Sequence, residues 1–137
     1  MAVDIKTLRI GSHILVNGKR ERVRGLDEDN GLIVRFPAEY VNANEVEPIA
    51  ITAELLKELG FKTKNQKYNT KCWRRTEIPQ EGRRLPSIEF ITVWLYRNGY
   101  CKIHYRMDYM NINVIDCRYL HEAEAFLALH GVELIKE

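Results

Sequence analysis

The sequence predicts an α+β protein in which an N-terminal SH3-like small β-barrel is followed by an antiparallel sheet with two helices. Short β-branched runs separated by turn residues occupy residues 8–50, a pattern typical of a small β-module. The most β-branched and aromatic run of the chain, residues 88–96, is followed by an Asn-Gly pair and so predicts a hairpin. Two segments with apolar residues at helical spacing, 53–59 and 119–130, each precede a glycine.

The first module, residues 1–50, is expected to contain short strands at about 13–16, 20–26, 32–36 and 44–49. Asn17 and Gly18 join the first two strands, because both residues accept the positive φ angles of a tight hairpin turn. Strands this short bury little as an open sheet, and curling into a barrel removes their exposed edges. We therefore predict a small barrel that ends near Pro48.

The second unit, residues 51–137, is predicted to begin with a helix that Thr52 caps and Gly60 ends. Its strands are expected at about 71–75, 88–96, 100–105 and 111–115. The first of these strands is predicted to lie inside a long irregular region, residues 62–87. The closing helix, 119–130, is expected to cover one face of this sheet.

Composition favours a folded protein of a reducing compartment. The chain has 137 residues, of which 45% are hydrophobic and 29% charged, with a net charge of +2, and these values are ordinary for a globular protein. Its three cysteines form no close pair, which argues against a disulfide framework. No apolar run is long enough for a signal-peptide core or a membrane span. The sequence therefore predicts a cytoplasmic protein with no membrane partner.

Motifs for catalysis and metal binding are incomplete. The segment that begins at His121 has Ala125 where a zinc-protease helix needs its second histidine. Glu122 and Glu124 are instead interpreted as a solvated first turn that the helix dipole favours. The cysteines lack the close pairs that would form half of a metal site. We therefore expect no cofactor, no metal and no enzymatic activity.

Residues 62–84 form a basic segment with eight Lys/Arg against two Glu. Lysine and arginine neutralise phosphates and exposed aromatic rings stack on unpaired bases, so a mixed segment of this kind is typical of single-strand binding. The candidate nucleic-acid residues are Lys71, Trp73, Arg74, Arg75, Arg83, Arg84 and Tyr68. The alternative is a solvated basic loop with Trp73 turned into the core, and the exposure of Trp73 separates the two interpretations.

A second candidate surface is rich in aromatic residues. Trp94 and Tyr96 share a face of one predicted strand because they are two residues apart. The candidate residues for a protein interface are Tyr96, Tyr100 and Tyr105. Tyr100 and Tyr105 have opposite parity, so a regular strand divides them between its two faces. The alternative is that one aromatic face forms core.

Several blocks near both ends of the chain and at the predicted junction form a recognisable set. They are LRIGS at 8–12, VNGK at 16–19, VRGLD at 23–27, VEPI with TAELL and LGF within 46–61, and YLHE with F, AL and GVEL within 119–134. The set resembles a family of small uncharacterised proteins that occur mainly in gut anaerobic bacteria and in their phages and mobile elements. This resemblance implies the two-part architecture and a mobile-element context, and it implies no activity. Glu124 and Ala125 replace the usual Gln-Asn pair of that family, and residues 62–118 depart from it most.

Two functions follow from these observations. The sequence favours a non-enzymatic binding or adaptor protein that contacts an unidentified protein partner, as an accessory of a phage or mobile element. The alternative is a nucleic-acid-binding protein that uses residues 62–84. The oligomeric state stays open at this point.

Overall fold

The computed structural model of the chain describes residues 3–35, 39–78, 87–107 and 111–135. The fold is α+β, as predicted, because the described chain consists mostly of antiparallel strands together with two α-helices. It divides into two compact units. One is formed by residues 3–50 together with 119–135, and the other by residues 51–118.

The first unit contains two small antiparallel sheets. Its strands are β1 (His13–Val16), β2 (Lys19–Arg22), β3 (Gly25–Asp27), β4 (Leu32–Arg35), β5 (Glu39–Asn42) and β6 (Val46–Glu47). Their orders in the two sheets are β2-β1-β6 and β3-β4-β5. Ile14 and Val46 from the first sheet and Ile33 from the second belong to one buried apolar cluster. The two sheets therefore share a core.

The predicted SH3-like barrel is not confirmed, since no sheet of the described chain closes on itself. The strand expected at 20–26 is divided: β2 ends at Arg22, and β3 begins at Gly25 in the other sheet. Val23 lies between them, fully buried, and its N–H donates to the Ser12 carbonyl at 2.8 Å. The chain thus passes from one sheet to the other at a buried residue. β5 forms where no strand was predicted.

The hairpin turn between β1 and β2 is confirmed. Asn17 and Gly18 have φ angles of 51° and 78°, in the left-handed region that asparagine and glycine tolerate best. The resulting register pairs Val16 with Lys19. Val16 and Ile14, two residues apart, are both buried, as the alternation of side chains along a strand requires.

The closing helix, α2 (Leu120–Ala128), packs with the first unit and contacts β1, whereas the sequence predicted that it covers the second sheet. Leu120 and Leu127 of its apolar face are fully enclosed. The Leu120 N–H donates to the Ile49 carbonyl at 2.7 Å. The first unit therefore extends beyond the predicted boundary at residue 50 and includes the C-terminal helix.

A buried polar pair joins α2 to β1. The Glu124 carboxylate lies 2.9 Å from the His13 backbone nitrogen and 2.6 Å from His13 Nδ1. Because a carboxylate only accepts hydrogen bonds, both nitrogens donate to it. The expectation that Glu124 is solvated is therefore wrong, since only 13% of its side chain is exposed. Glu122 does lie in the first turn, where it accepts from the Tyr119 N–H at 3.0 Å.

His121, on α2, is the second buried histidine of this unit. Thr7 Oγ1 donates to the Asp4 carbonyl at 2.6 Å and therefore accepts from His121 Nε2–H, 2.9 Å away. Nδ1 of the same ring is buried and has no hydrogen-bond partner among the residues that the structure describes. Burial lowers the pKa of His121. The nearby carboxylates of Glu122, Glu124 and Asp4 act in the opposite direction and do not outweigh burial.

The second unit begins with α1 (Ala53–Glu58), which Thr52 caps as predicted by accepting from the Leu55 N–H at 3.1 Å. Its strands are β7 (Lys62–Asn65), β8 (Asn69–Ile78), β9 (Ser87–Tyr96), β10 (Cys101–Met107) and β11 (Asn111–Cys117). They form one antiparallel sheet in the order β11-β10-β9-β8-β7, and α1 contacts β7 and β8.

The region expected to be irregular, residues 62–87, instead contains the β7–β8 hairpin. β7 has no hydrophobic pattern from which it could be predicted, because three of its four side chains are exposed and only Thr63 is partly buried. The basic segment is therefore largely part of a sheet, with its side chains held in alternating directions.

We expect Glu124→Ala to lower the free energy of unfolding by about 1–3 kcal/mol, because it removes the acceptor of two buried donors. Glu124→Gln keeps an oxygen for the His13 backbone N–H, so its loss should be clearly smaller. Urea unfolding followed by circular dichroism measures both variants. Equal losses would mean that the charge of the carboxylate and its second oxygen at His13 Nδ1 carry the effect, because glutamine preserves both the size of the side chain and one oxygen.

Acidification should destabilise the protein through His121. A histidine whose pKa is lower in the folded than in the unfolded state leaves the unfolded chain with more bound protons, so stability is highest above about pH 6.5 and falls as the pH decreases through that value. Thermal unfolding of the wild type and of His121→Gln at about pH 7.5 and pH 5 measures this effect. The variant should lose less stability on acidification, and an equal loss would assign the acid sensitivity to other groups.

Candidate functional site

The five-stranded sheet of the second unit has two chemically different faces. Side chains alternate between the faces along each strand, and directly paired residues of neighbouring strands lie on the same face. One face is apolar and buried. Its buried side chains are Cys72, Ile91, Val93, Cys101, Ile103, Tyr105 and Cys117.

The opposite face, which we call the open face, consists of exposed and partly buried side chains. Those that the structure describes are Lys62, Lys64, Asn69, Lys71, Trp73, Arg75, Phe90, Thr92, Trp94, Tyr96, Lys102, His104, Arg106, Val114 and Asp116. Six of them are basic and only Asp116 is acidic. An excess of one sign on one surface attracts ligands of the opposite charge, here anions.

Trp94 lies near the centre of the open face between two basic residues. It pairs with Lys71 on β8 and with Lys102 on β10. Lys71 Nζ lies 6.0 Å from the centroid of the Trp94 ring, at the limit of a cation–π contact. The His104 ring meets Trp94 with 4.3 Å between centroids and 62° between planes, an edge-on contact. The indole is only partly buried, so aromatic surface remains accessible.

Phe90 repeats this arrangement, and Trp73 has a basic residue on one side. Phe90 on β9 pairs with Arg75 and Arg106, and 36% of its surface is exposed. Trp73 on β8 pairs with Lys62 on β7 and is partly buried. A groove of about 600 Å³ runs over all three rings, a volume within the range of about 300–1,000 Å³ that is usual for ligand sites. Each ring therefore has at least one cation directly opposite it on the sheet.

His104 contributes an aromatic ring to the open face but no further positive charge. Burial lowers its pKa, the ammonium group of Lys102 lowers it further, and the Asp116 carboxylate opposes both effects. A histidine whose pKa is below its usual value of about 6.5 is mostly neutral at pH 7. The positive charge of the open face thus comes from lysine and arginine.

The structure separates the predicted nucleic-acid residues. Lys71, Trp73 and Arg75 lie on the open face. Arg74 points to the other face, and its Nη1 donates to the Leu59 carbonyl at 3.1 Å. Trp73 is partly buried, so it is neither fully exposed nor turned into the core, the two alternatives that the sequence left open.

The remaining members of that predicted set lie apart from the open face or outside the described residues. Tyr68 is 71% exposed in the turn between β7 and β8, and Lys67 Nζ lies 5.2 Å from its ring centroid. Arg83 and Arg84 lie outside the described residues.

The three predicted interface tyrosines have three different environments. Tyr96 is on the open face and is 38% exposed. Tyr100 is exposed in the β9–β10 turn, with the guanidinium of Arg118 3.8 Å from its ring centroid. The prediction for Tyr105 is wrong: it pairs with Ile91 on the buried face and has no exposed surface.

Several residues of the open face were missed from the sequence. Phe90, Lys102, His104 and Arg106 come from β9 and β10, outside the basic segment. The signal that could have found them is the alternation along 101–106, where each apolar or aromatic residue is followed by a charged residue or histidine. A two-residue period of this kind predicts one buried face and one charged face.

Within the described part of the chain, neither helix is long and apolar enough to cross a membrane. In the same residues, no three potential ligands from histidine, cysteine, aspartate and glutamate come close enough together to hold a metal ion. Cys72, Cys101 and Cys117 are buried thiols, and the Sγ atoms of the last two are 3.5 Å apart.

No protein-family model, no curated protein and no solved structure matches this chain.

The pKa of His104 should respond in opposite directions to two neighbouring substitutions. Lys102→Gln removes a repulsive charge and should raise the pKa, whereas Asp116→Asn removes an attractive charge and should lower it. A proton NMR titration of the histidine ring resonances measures both shifts, with the other three histidines of the chain as internal controls. Shifts of the same sign in the two variants would contradict this charge arrangement.

Proposed function

We propose that the protein is a non-enzymatic binding protein whose open face binds single-stranded nucleic acid. The observation that carries this proposal is the alternation of rings and cations across the sheet, with Trp94 between Lys71 and Lys102 and with Phe90 between Arg75 and Arg106. Cations neutralise phosphates, and accessible rings stack on bases that have no pairing partner. A face that offers both at neighbouring positions suits an unpaired strand.

Charge also distinguishes this ligand from a protein partner. The centres of protein–protein interfaces are depleted in lysine, whereas the open face has four lysines among its described side chains. They are Lys62, Lys64, Lys71 and Lys102. The adaptor function that the sequence favours stays a prediction, and the exposure of Tyr96 and Tyr100 supports it.

The prediction that residues 1–50 form an SH3-like module also remains a proposal. It is supported by the core that the two three-stranded sheets of the first unit share. The phage or mobile-element context rests on the resemblance of the sequence blocks alone. Neither point is needed for nucleic-acid binding by the open face.

Binding to poly(U) or poly(dT) should weaken steeply with salt, because each neutralised phosphate of a single strand contributes a slope of about −0.7 to log K against log[salt]. Lys64→Gln removes one exposed cation of the open face and should make this slope about 0.7 less steep. Fluorescence anisotropy of a labelled strand between about 50 and 200 mM salt measures the change.

Lys19→Gln is the matched control, because Lys19 is an exposed strand lysine of the first unit. It should leave the slope unchanged. The proposal fails if no binding occurs at low salt, if binding is independent of salt, or if the two lysine variants lose the same slope. The open face would instead be a protein interface if the protein binds no nucleic acid, captures a protein partner, and loses that partner in Lys64→Gln.

A further inference from the structure

Three of the four large rings of the open face, Trp73, Phe90 and Trp94, surround one small residue, whereas the fourth, Tyr96, pairs with the uncharged Asn69. Trp94 and Phe90 stand two positions on either side of Thr92 along β9, and Trp73 faces Thr92 across the β8–β9 ladder. Trp73 is therefore a diagonal neighbour of both other rings. Because diagonal neighbours on a sheet are about 7–8 Å apart, the path from Trp94 through Trp73 to Phe90 has two steps of similar length.

This spacing excludes a duplex as the ligand of the rings. Successive bases of duplex DNA are stacked about 3.4 Å apart, which is roughly half the spacing of diagonal positions on a sheet. Bases can meet successive rings only after they separate from one another. The strand on this path must therefore be unpaired and extended, as in sheet platforms whose rings stack two or three bases.

Each ring on the path has a basic side chain directly opposite. Lys71 pairs with Trp94, Lys62 with Trp73 and Arg106 with Phe90. A phosphate next to each stacked base can thus meet a positive charge. Lys102 and Arg75 add one further cation each opposite Trp94 and Phe90. The arrangement supplies three similar positions, each with a ring for a base and a cation for a phosphate.

We infer that the open face binds about three consecutive unpaired nucleotides, with one base on each of Trp94, Trp73 and Phe90. This inference rests on the proposed function and adds the length and the conformation of the bound strand. Since rings stack on every base, binding tolerates changes of sequence. RNA and DNA share this chemistry, so both are used as probes.

The two tryptophans of the chain both lie on the open face, so their fluorescence reports stacking without a label. Oligo(U) and oligo(dT) of one to about eight nucleotides are titrated at low salt. Affinity should rise steeply up to about three nucleotides and only slightly beyond, with quenching of the tryptophan emission. A blunt duplex of about eight base pairs should bind far more weakly than the single strand.

Ring variants locate the bases on the path. Phe90→Ala leaves both tryptophans as reporters and should weaken trimer binding about 5- to 150-fold, the range for loss of one stacked base. Trp94→Phe keeps a ring and should weaken binding less than Trp94→Ala, and circular dichroism establishes that each variant is folded. Tyr100→Ala removes an exposed ring that lies off the path and should leave the affinity for the trimer unchanged.

The outcomes separate this inference from the function on which it rests. If affinity increases steadily up to eight nucleotides, or if a mononucleotide already binds as tightly as a trimer, the three-nucleotide site is wrong. Nucleic-acid binding itself would still hold in both cases, because long strands bind. Equal binding of the duplex overturns the requirement for an unpaired strand. Failure of every strand to bind at low salt overturns the proposed function itself. Preference between oligo(U) and oligo(dU), which carry the same base, identifies the sugar that the site accepts.

Discussion

The register of the five-stranded sheet is the constraint on which the second unit depends. β8 and β9 pair without interruption from Asn69 opposite Tyr96 to Ile78 opposite Ser87. A shift of one residue would exchange the two faces of a strand, moving Lys71 and Trp73 inward and Cys72 into solvent. Burial of the apolar face opposes that shift. The same apolar contacts that hold the sheet together therefore set the position of every ring and cation on the open face.

The elements with strong local signals could be predicted from the sequence. The cap at Thr52 and the turn at Asn17 and Gly18 depend on neighbouring residues only, and both were predicted correctly. The surface against which α2 packs could not be predicted, because the apolar side of a helix can pack against any apolar surface. The contact between Glu124 and His13, which are 111 residues apart, brings this helix to β1.

The open face was predicted only in part, for a related reason. One face of a sheet consists of every second residue of several strands, and these strands can be distant in sequence. A contiguous basic segment therefore contains only some of the residues of that face. Lys71 and Trp73 were in that segment, whereas Trp94 and His104 come from two later strands. Parity predicted that Tyr100 and Tyr105 lie on opposite faces of one strand, but Tyr100 lies in the turn before β10, and Tyr105 is buried on the apolar face opposite Ile91.

The bridge between Ala50 and Tyr119 has a consequence for the order of folding. Residues 51–118 are inserted, in sequence, between the two segments of the first unit, and this bridge holds the ends of those segments side by side. A ribosome therefore completes the inserted unit before α2 emerges, while the surface of β1 that α2 covers is still exposed. Units of a chain fold as their segments become available during synthesis. Residues 3–50 thus complete their packing with α2 only after residues 51–118 have been synthesised.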